Sequence, residues 1–179
     1  MSRKAELIAN LELVKSEIPD GVTLIVVTKT YPVSDVEILY EAGVRDFGEN
    51  RDQEGAQKAP QLPSDANWHF QGQIQSNKLS SIASWADYIH SLDKLDHAKK
   101  LNKFLTAPKP VFIQVSLDGQ VHRGGIAADQ IPNLLDEIEK LKMISPIGLM
   151  AVAPLDEDAD SAYAKLAQIK ADIAKEFSY

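Results

Sequence analysis

Apolar and polar positions recur along this chain with two different periods. In "MSRKAELIANLELVKSEIP" the residues Leu7, Leu11, Val14 and Ile18 fall at helical spacing with charges between them, which predicts an amphipathic helix at the N-terminus. After it, short β-branched runs alternate with helical patterns. The runs predict strands near residues 23–28, 45–48, 67–71, 88–91, 111–116 and 147–152. The helical patterns fall near 34–42, 51–58, 77–83, 95–105, 128–141 and 158–177. Strand and helix in regular alternation are the signature of a parallel sheet built from βα units.

Local signals sharpen several boundaries. Ser34 with Glu37 three residues on has the capping-box pattern, and Gly43 stands where a helix C-terminus can turn left-handed. Pro108 and Pro110 bar continuation of the helix before them. The proline-rich pieces "KAPQLPSDAN" and "TAPKP" have the length of helix-to-strand connections, so residues 1–179 are expected to form one domain.

Composition narrows the function. A net charge of −7 argues against nucleic acid or an anionic membrane as the main partner, since both need a basic surface. The chain has no cysteine, which excludes disulfides, thiolate metal sites and cysteine nucleophiles. The N-terminal helix lacks the features of a signal peptide and no apolar run reaches membrane-spanning length, so the cytoplasm is the expected address.

Two architectures fit the alternation: an open doubly wound sheet and a (β/α)8 TIM barrel. A doubly wound dinucleotide site would show G-x-G-x-x-G after the first strand, where this chain has "VTKTYP". The barrel is favoured, although about six βα units do not close eight strands. In either architecture ligands sit beyond the carboxyl ends of the strands. Lys29 stands there after the first strand, Glu49 and Asn50 after the second, "WHFQGQIQSNK" at the third, "HSLD" at the fourth, "QVSLDG" at the fifth and "GLMAVAP" at the sixth.

Each of these residues also has a plain structural role open to it. Lys29 can snorkel from a strand end, and Asn50 can cap a helix. His69 and His90 fit hydrogen-bonded core positions, while His97 and His122 read as surface residues. The four histidines lack metal-binding spacing. The acidic group Asp156, Glu157, Asp158 and Asp160 suits a solvated helix start, and "HRGG" is a glycine turn that could offer amides to an anion. What favours a functional reading is convergence of several polar groups on one face, with a lysine on the first strand. Enclosure of Lys29 would favour its neutral amine, which attacks carbonyls, so Schiff-base chemistry is the sharp hypothesis.

"VVTKTYP", "FGENRDQE", "WHFQGQIQSNK", "IHSLD", "VFIQVSLDG" and "IGLMAVAP" together resemble, in order and spacing, the pyridoxal-phosphate homeostasis protein family, over essentially the whole chain. The resemblance implies a barrel like the N-terminal domain of alanine racemase, fold type III of the pyridoxal-phosphate enzymes. It implies pyridoxal 5'-phosphate (PLP) as cofactor, held on Lys29 as a Schiff base, with Asn50, His69, Ser91 and Met150 near it; Gly72, Gln75, Asn77 and Lys78 match the third-strand motif. It implies a carrier or buffer of PLP without robust catalysis, PLP-dependent apoenzymes as partners, and a monomer. The alternative is a PLP-dependent amino-acid racemase-like enzyme, which needs a second acid/base opposite the cofactor. A third reading, a scaffold without ligand, predicts no response of stability to PLP.

Two departures from the family pattern stand out. Arg123 occupies the place where many relatives carry a lysine, and an arginine does not form a Schiff base. The family's seventh and eighth strand motifs, which supply the phosphate site, are absent from the sequence. The expectation is therefore an incomplete barrel from a longer protein, lacking its last two strands and the cofactor's phosphate anchor.

Overall fold

The computed structural model describes residues 2–175, so the end of the last expected helix, including Phe177, lies outside the described residues. Six parallel strands form one sheet: β1 (Val26–Val27), β2 (Asp46–Glu49), β3 (Asn67–Phe70), β4 (Tyr88–Leu92), β5 (Lys109–Gln114) and β6 (Ile144–Met150). They lie in the order β1-β2-β3-β4-β5-β6. Every neighbouring pair is parallel. A doubly wound sheet reverses its strand order at a switch point; this one does not. The sequential winding is that of an α/β barrel, left incomplete because β1 and β6 each lack a partner on their outer side among the described residues.

Among the described residues, seven α-helices accompany the strands: α1 (Arg3–Glu17), α2 (Val33–Glu41), α3 (Asp52–Lys58), α4 (Leu79–Trp85), α5 (Leu95–Phe104), α6 (Ile131–Ile138) and α7 (Ala159–Ile173). The main apolar layer lies between them and the sheet. Trp68 and Phe70 of β3 meet Trp85 of α4 edge-on, with ring centroids 6.5 and 5.9 Å apart, a geometry that adds about 0.5–1.5 kcal/mol per pair beyond area burial. Phe47, Ile89, Leu101, Ile113, Ile131 and Ile138 complete a layer closed to solvent. The opposite face of the sheet is polar at its centre, with Asp46, Asn67, His69 and His90 in mutual contact.

Three local expectations change. Ser34 does not cap α2; the helix starts at Val33, with extended Pro32 at the cap position and no side-chain hydrogen bond. The strand expected over 23–28 pairs only at Val26 and Val27, because β1 lies at the sheet edge and only these two residues register with Phe47 and Gly48. β5 and β6 begin earlier than their prolines suggest. Pro110 and Pro146 are both accommodated, and the register shift after Val111 leaves Ile147 as the extra residue of a bulge. Other signals hold: Gly43 takes φ 94° after α2, and Asp158 caps α7 by accepting from Ser161 N.

Candidate functional site

The carboxyl ends of the strands form a rim that begins at a tight turn. Tyr31 N donates to Thr28 O at 3.1 Å, closing a turn with Lys29 and Thr30 at its centre. Lys29 is exposed, and no hydrogen bond or ion pair engages its Nζ among the described residues. The expected enclosure of Lys29 is thus not present among the described residues: β1 is an edge strand, and the side chain is exposed.

Beneath this exposed amine lies a buried polar network. Glu49, fully inaccessible at the end of β2, accepts from Thr28 Oγ1 at 2.7 Å and from Lys58 Nζ at 2.6 Å on the same oxygen, Oε1. Its Oε2 is buried without a hydrogen-bond partner. Lys58 also donates to Thr28 O at 2.7 Å and lies 3.3 Å from Glu54 Oε2, which accepts from Thr30 N at 2.6 Å. That backbone bond, followed by the Lys58 contact, holds the Glu54 carboxyl below the ordinary glutamate value. Neither Glu54 nor Lys58 stood out in the sequence. The available signal was their i,i+4 spacing in "RDQEGAQK", which by itself describes any solvated helix pair.

The next rim positions are tied together through backbone. A Cβ on Gly72 would lie 1.9 Å from Asn50 O, so only glycine lets the β3 exit pass this close to the β2 exit. Ser91 Oγ donates to Gly72 O at 2.5 Å, joining the β4 exit to the same point. Asn50 is exposed and does not cap α3, whose N-cap is Arg51, so its side chain is not committed to that role. It lines a cleft of about 240 Å³ with Arg51, Gln73, Gln75 and Lys78. Met150, half-buried at the end of β6, lies at the far side of the rim.

His69 stands below the rim. Its Nε2 lies 3.0 Å from Asp46 Oδ1 and its Nδ1 lies 2.9 Å from His90 Nε2. A carboxylate only accepts, so Nε2 carries the proton; a neutral His69 then accepts at Nδ1 from His90 N–H. Burial pushes both imidazoles down, His90 to about 4, which keeps the pair neutral near pH 7. The rings also stack, His69 on Tyr88 at 4.6 Å and His90 on Phe112 at 4.4 Å. Both His69 nitrogens are therefore engaged inside the sheet.

Two further expectations change. His97 is buried on α5, not a surface residue, with Nδ1 3.7 Å from Asp93 Oδ1. Of the amides in the glycine turn after β5, that of Gly125 is not open to an external anion, because it donates to Asp93 Oδ2 at 3.2 Å. Arg123 in that turn reaches Val152 O and Ala153 O at 3.2 and 2.7 Å and pairs with Asp118, fastening the β5 loop to the β6 exit. No group of three or more metal-capable side chains gathers among the described residues, and no described helix is long and apolar enough to cross a membrane.

The family model described as alanine racemase, N-terminal domain, matches residues 3–176. The pyridoxal phosphate homeostasis protein of Corynebacterium glutamicum is 39% identical over 170 residues, spanning 89% of this chain and 76% of the relative. That of Pseudomonas aeruginosa is 37% identical over 162 residues, spanning 87% of this chain and 70% of the relative. Among solved structures, PipY of Synechococcus elongatus PCC7942 with PLP bound superposes with a TM-score of 0.86 at 30% identity, covering 95% of this chain and 82% of PipY. Alanine racemase of Clostridium difficile 630 superposes with a TM-score of 0.78 at 17% identity, covering 95% of this chain and 49% of the racemase, a likeness of fold.

Proposed function

Since the chain belongs to the alanine racemase N-terminal domain family and, within it, to the pyridoxal phosphate homeostasis proteins, we propose that it binds pyridoxal 5'-phosphate through Lys29 and acts in PLP homeostasis as a carrier without robust catalysis. The observation that carries the reading is the unengaged Lys29 amine at the exit of β1, on the face where this fold binds its ligands. The cofactor supplies an aldehyde carbon that a primary amine can hold as a Schiff base. On the protein's side, Lys29 offers that amine, Asn50 an uncommitted amide, and Met150 a half-buried apolar wall across the rim. Ser91 supports the site by fixing Gly72, and His69 supports it from below by bracing β3 against β2 and β4.

The donor set fits covalent attachment at the aldehyde end. It does not extend to a phosphate anchor at the β5 turn, where Asp93 holds the Gly125 amide and Asp118 pairs with Arg123. We read residues 1–179 as one barrel unit in this role, working as a monomer in the cytoplasm and passing PLP to PLP-dependent apoenzymes. The racemase-like alternative needs a second proton carrier opposite the cofactor. The tyrosine next to the turn, Tyr31, lies half exposed against the Arg3 guanidinium at 5.7 Å, an outward setting that favours the carrier reading.

The test is direct. Adding PLP to the full chain and reducing with borohydride should place the added mass on the Lys29 peptide, and Lys29→Ala should abolish it. An unchanged absorbance band in Lys29→Ala would sink the attachment. Exchange of amino-acid α-protons into heavy water at enzyme-like rates would instead favour the racemase reading.

A further inference from the structure

The polar network under the rim has a consequence for the attachment lysine. We infer that Glu54 and Lys58 of α3 are positioning residues for Lys29, holding the two peptide groups that flank it and so setting where its amine stands. The inference rests on the reading of Lys29 as the attachment residue.

Lys29 takes part in two peptide units, and a side chain of α3 grips each one. The carbonyl of the preceding unit, Thr28 O, accepts from Lys58 Nζ at 2.7 Å; the amide of the following unit, Thr30 N, donates to Glu54 Oε2 at 2.6 Å. The turn has one hydrogen bond of its own, Tyr31 N to Thr28 O, and the grip adds restraint where its backbone is strained. Thr30 is a β-branched residue at φ 68°, the one non-glycine residue with positive φ among the described residues, and such a conformation persists where surroundings over-determine it. β1 contributes little restraint, since it is two residues long and paired on one side.

The grip is itself anchored in the interior. Lys58 is 6% exposed and Glu49 is wholly buried, and their 2.6 Å contact ties α3 to the end of β2. Thr28 joins the same carboxylate through its hydroxyl at 2.7 Å, and its amide donates to Gly48 O at 2.9 Å. The backbone at Lys29 is thus fixed from below through α3 while its side chain stays free above. An ion pair that served only to dock α3 would not need to reach both peptide groups of one exposed lysine.

The experiment uses the full chain with PLP and borohydride, and reads by peptide mass the rate of modification at Lys29 relative to Lys142, an exposed lysine just before β6 at the opposite end of the strands. Glu54→Ala should lower that ratio by about tenfold or more, the scale expected when a reacting group is misplaced by an ångström. Glu54→Gln, which keeps an oxygen for Thr30 N, should restore most of it. In the cofactor-free protein, hydrogen exchange at the Thr30 amide should rise in Glu54→Ala and not in Glu54→Gln. Lys58→Met gives a second reading of the same ratio, with thermal unfolding showing which variants are folded. No modification of Lys29 in the unaltered chain would overturn the attachment reading and this inference with it. Modification of Lys29 in the unaltered chain with the same ratio in folded Glu54→Ala would overturn the positioning role alone.

Discussion

The turn at Lys29 and the sheet centre around His69 both bring titratable groups together at the ends or middles of adjacent strands, and they dispose of them in opposite ways. At the centre, Asp46, His69 and His90 satisfy one another in a line, and the rings are closed in by Tyr88 and Phe112. At the rim, Glu54, Lys58 and one oxygen of Glu49 are engaged beneath the surface, but the nearby Lys29 amine is left without a partner among the described residues. A polar group whose hydrogen bonds are complete inside the protein stabilises; one held in place by others yet left open is available for chemistry. Burial or charge alone would rank His69 above Lys29, and hydrogen-bond completeness reverses the order.

The largest effect is expected at Lys58. Removing a buried ion's partner leaves an uncompensated charge, so Lys58→Met should cost about 3–5 kcal/mol in urea unfolding. Adding Glu49→Met should recover most of it. If the single variant loses less than about 1 kcal/mol, the Lys58–Glu49 pair does not anchor α3 to β2.

The centre is probed by acid. The folded value of His90 lies well below its ordinary 6.5, so as pH falls the unfolded chain takes up the proton first. Stability present above pH 6.5 is therefore lost progressively toward pH 4, by up to about 3 kcal/mol. His90→Gln should show a visibly smaller loss over this window than the unaltered chain, measured by urea unfolding at a series of pH values.

A smaller effect is expected at Gly72. A methyl group there collides with the Asn50 carbonyl, so Gly72→Ala should destabilise by about 1–3 kcal/mol and displace the β2 exit, whereas the His69 and His90 ring signals in NMR stay in place. The smallest effect lies at Glu54. Its carboxyl is held down by the Thr30 amide, so the Thr30 amide resonance should titrate with a midpoint below 4.5 while global stability changes by less than about 1 kcal/mol. A Thr30 resonance indifferent to acid would mean that Glu54 does not hold the turn.

Much of the fold was legible because it rests on periodicity. Six apolar runs separated by helical patterns specified a parallel α/β sheet, and the missing glycine fingerprint after the first run pointed to sequential winding. The misreadings have local causes. The strands expected from Val111 and Ile147 begin earlier, at Lys109 and Ile144, and take in Pro110 and Pro146; Ser34 looked like a cap, and the chain enters α2 through Pro32 instead. His97 looked solvated because its neighbours in sequence are charged, whereas its face of α5 is shared with the buried Ala98 and Leu101.

The site divides in the same way. Lys29, Asn50 and Ser91 could be placed at strand exits from the sequence, because a strand's end and its polar residue are both local facts. That His69 meets His90 and Asp46, that Asn50 is pressed on Gly72, and that Glu54 and Lys58 grip the peptides around Lys29 are long-range facts, between residues 21 to 30 positions apart. The sequence by itself determined the alternation of strand and helix, the family, and the lysine at the first strand's exit. Tertiary structure alone decided which polar groups complete one another and which amine remains free, because hydrogen-bond satisfaction is a property of neighbours in space and leaves no period along the chain.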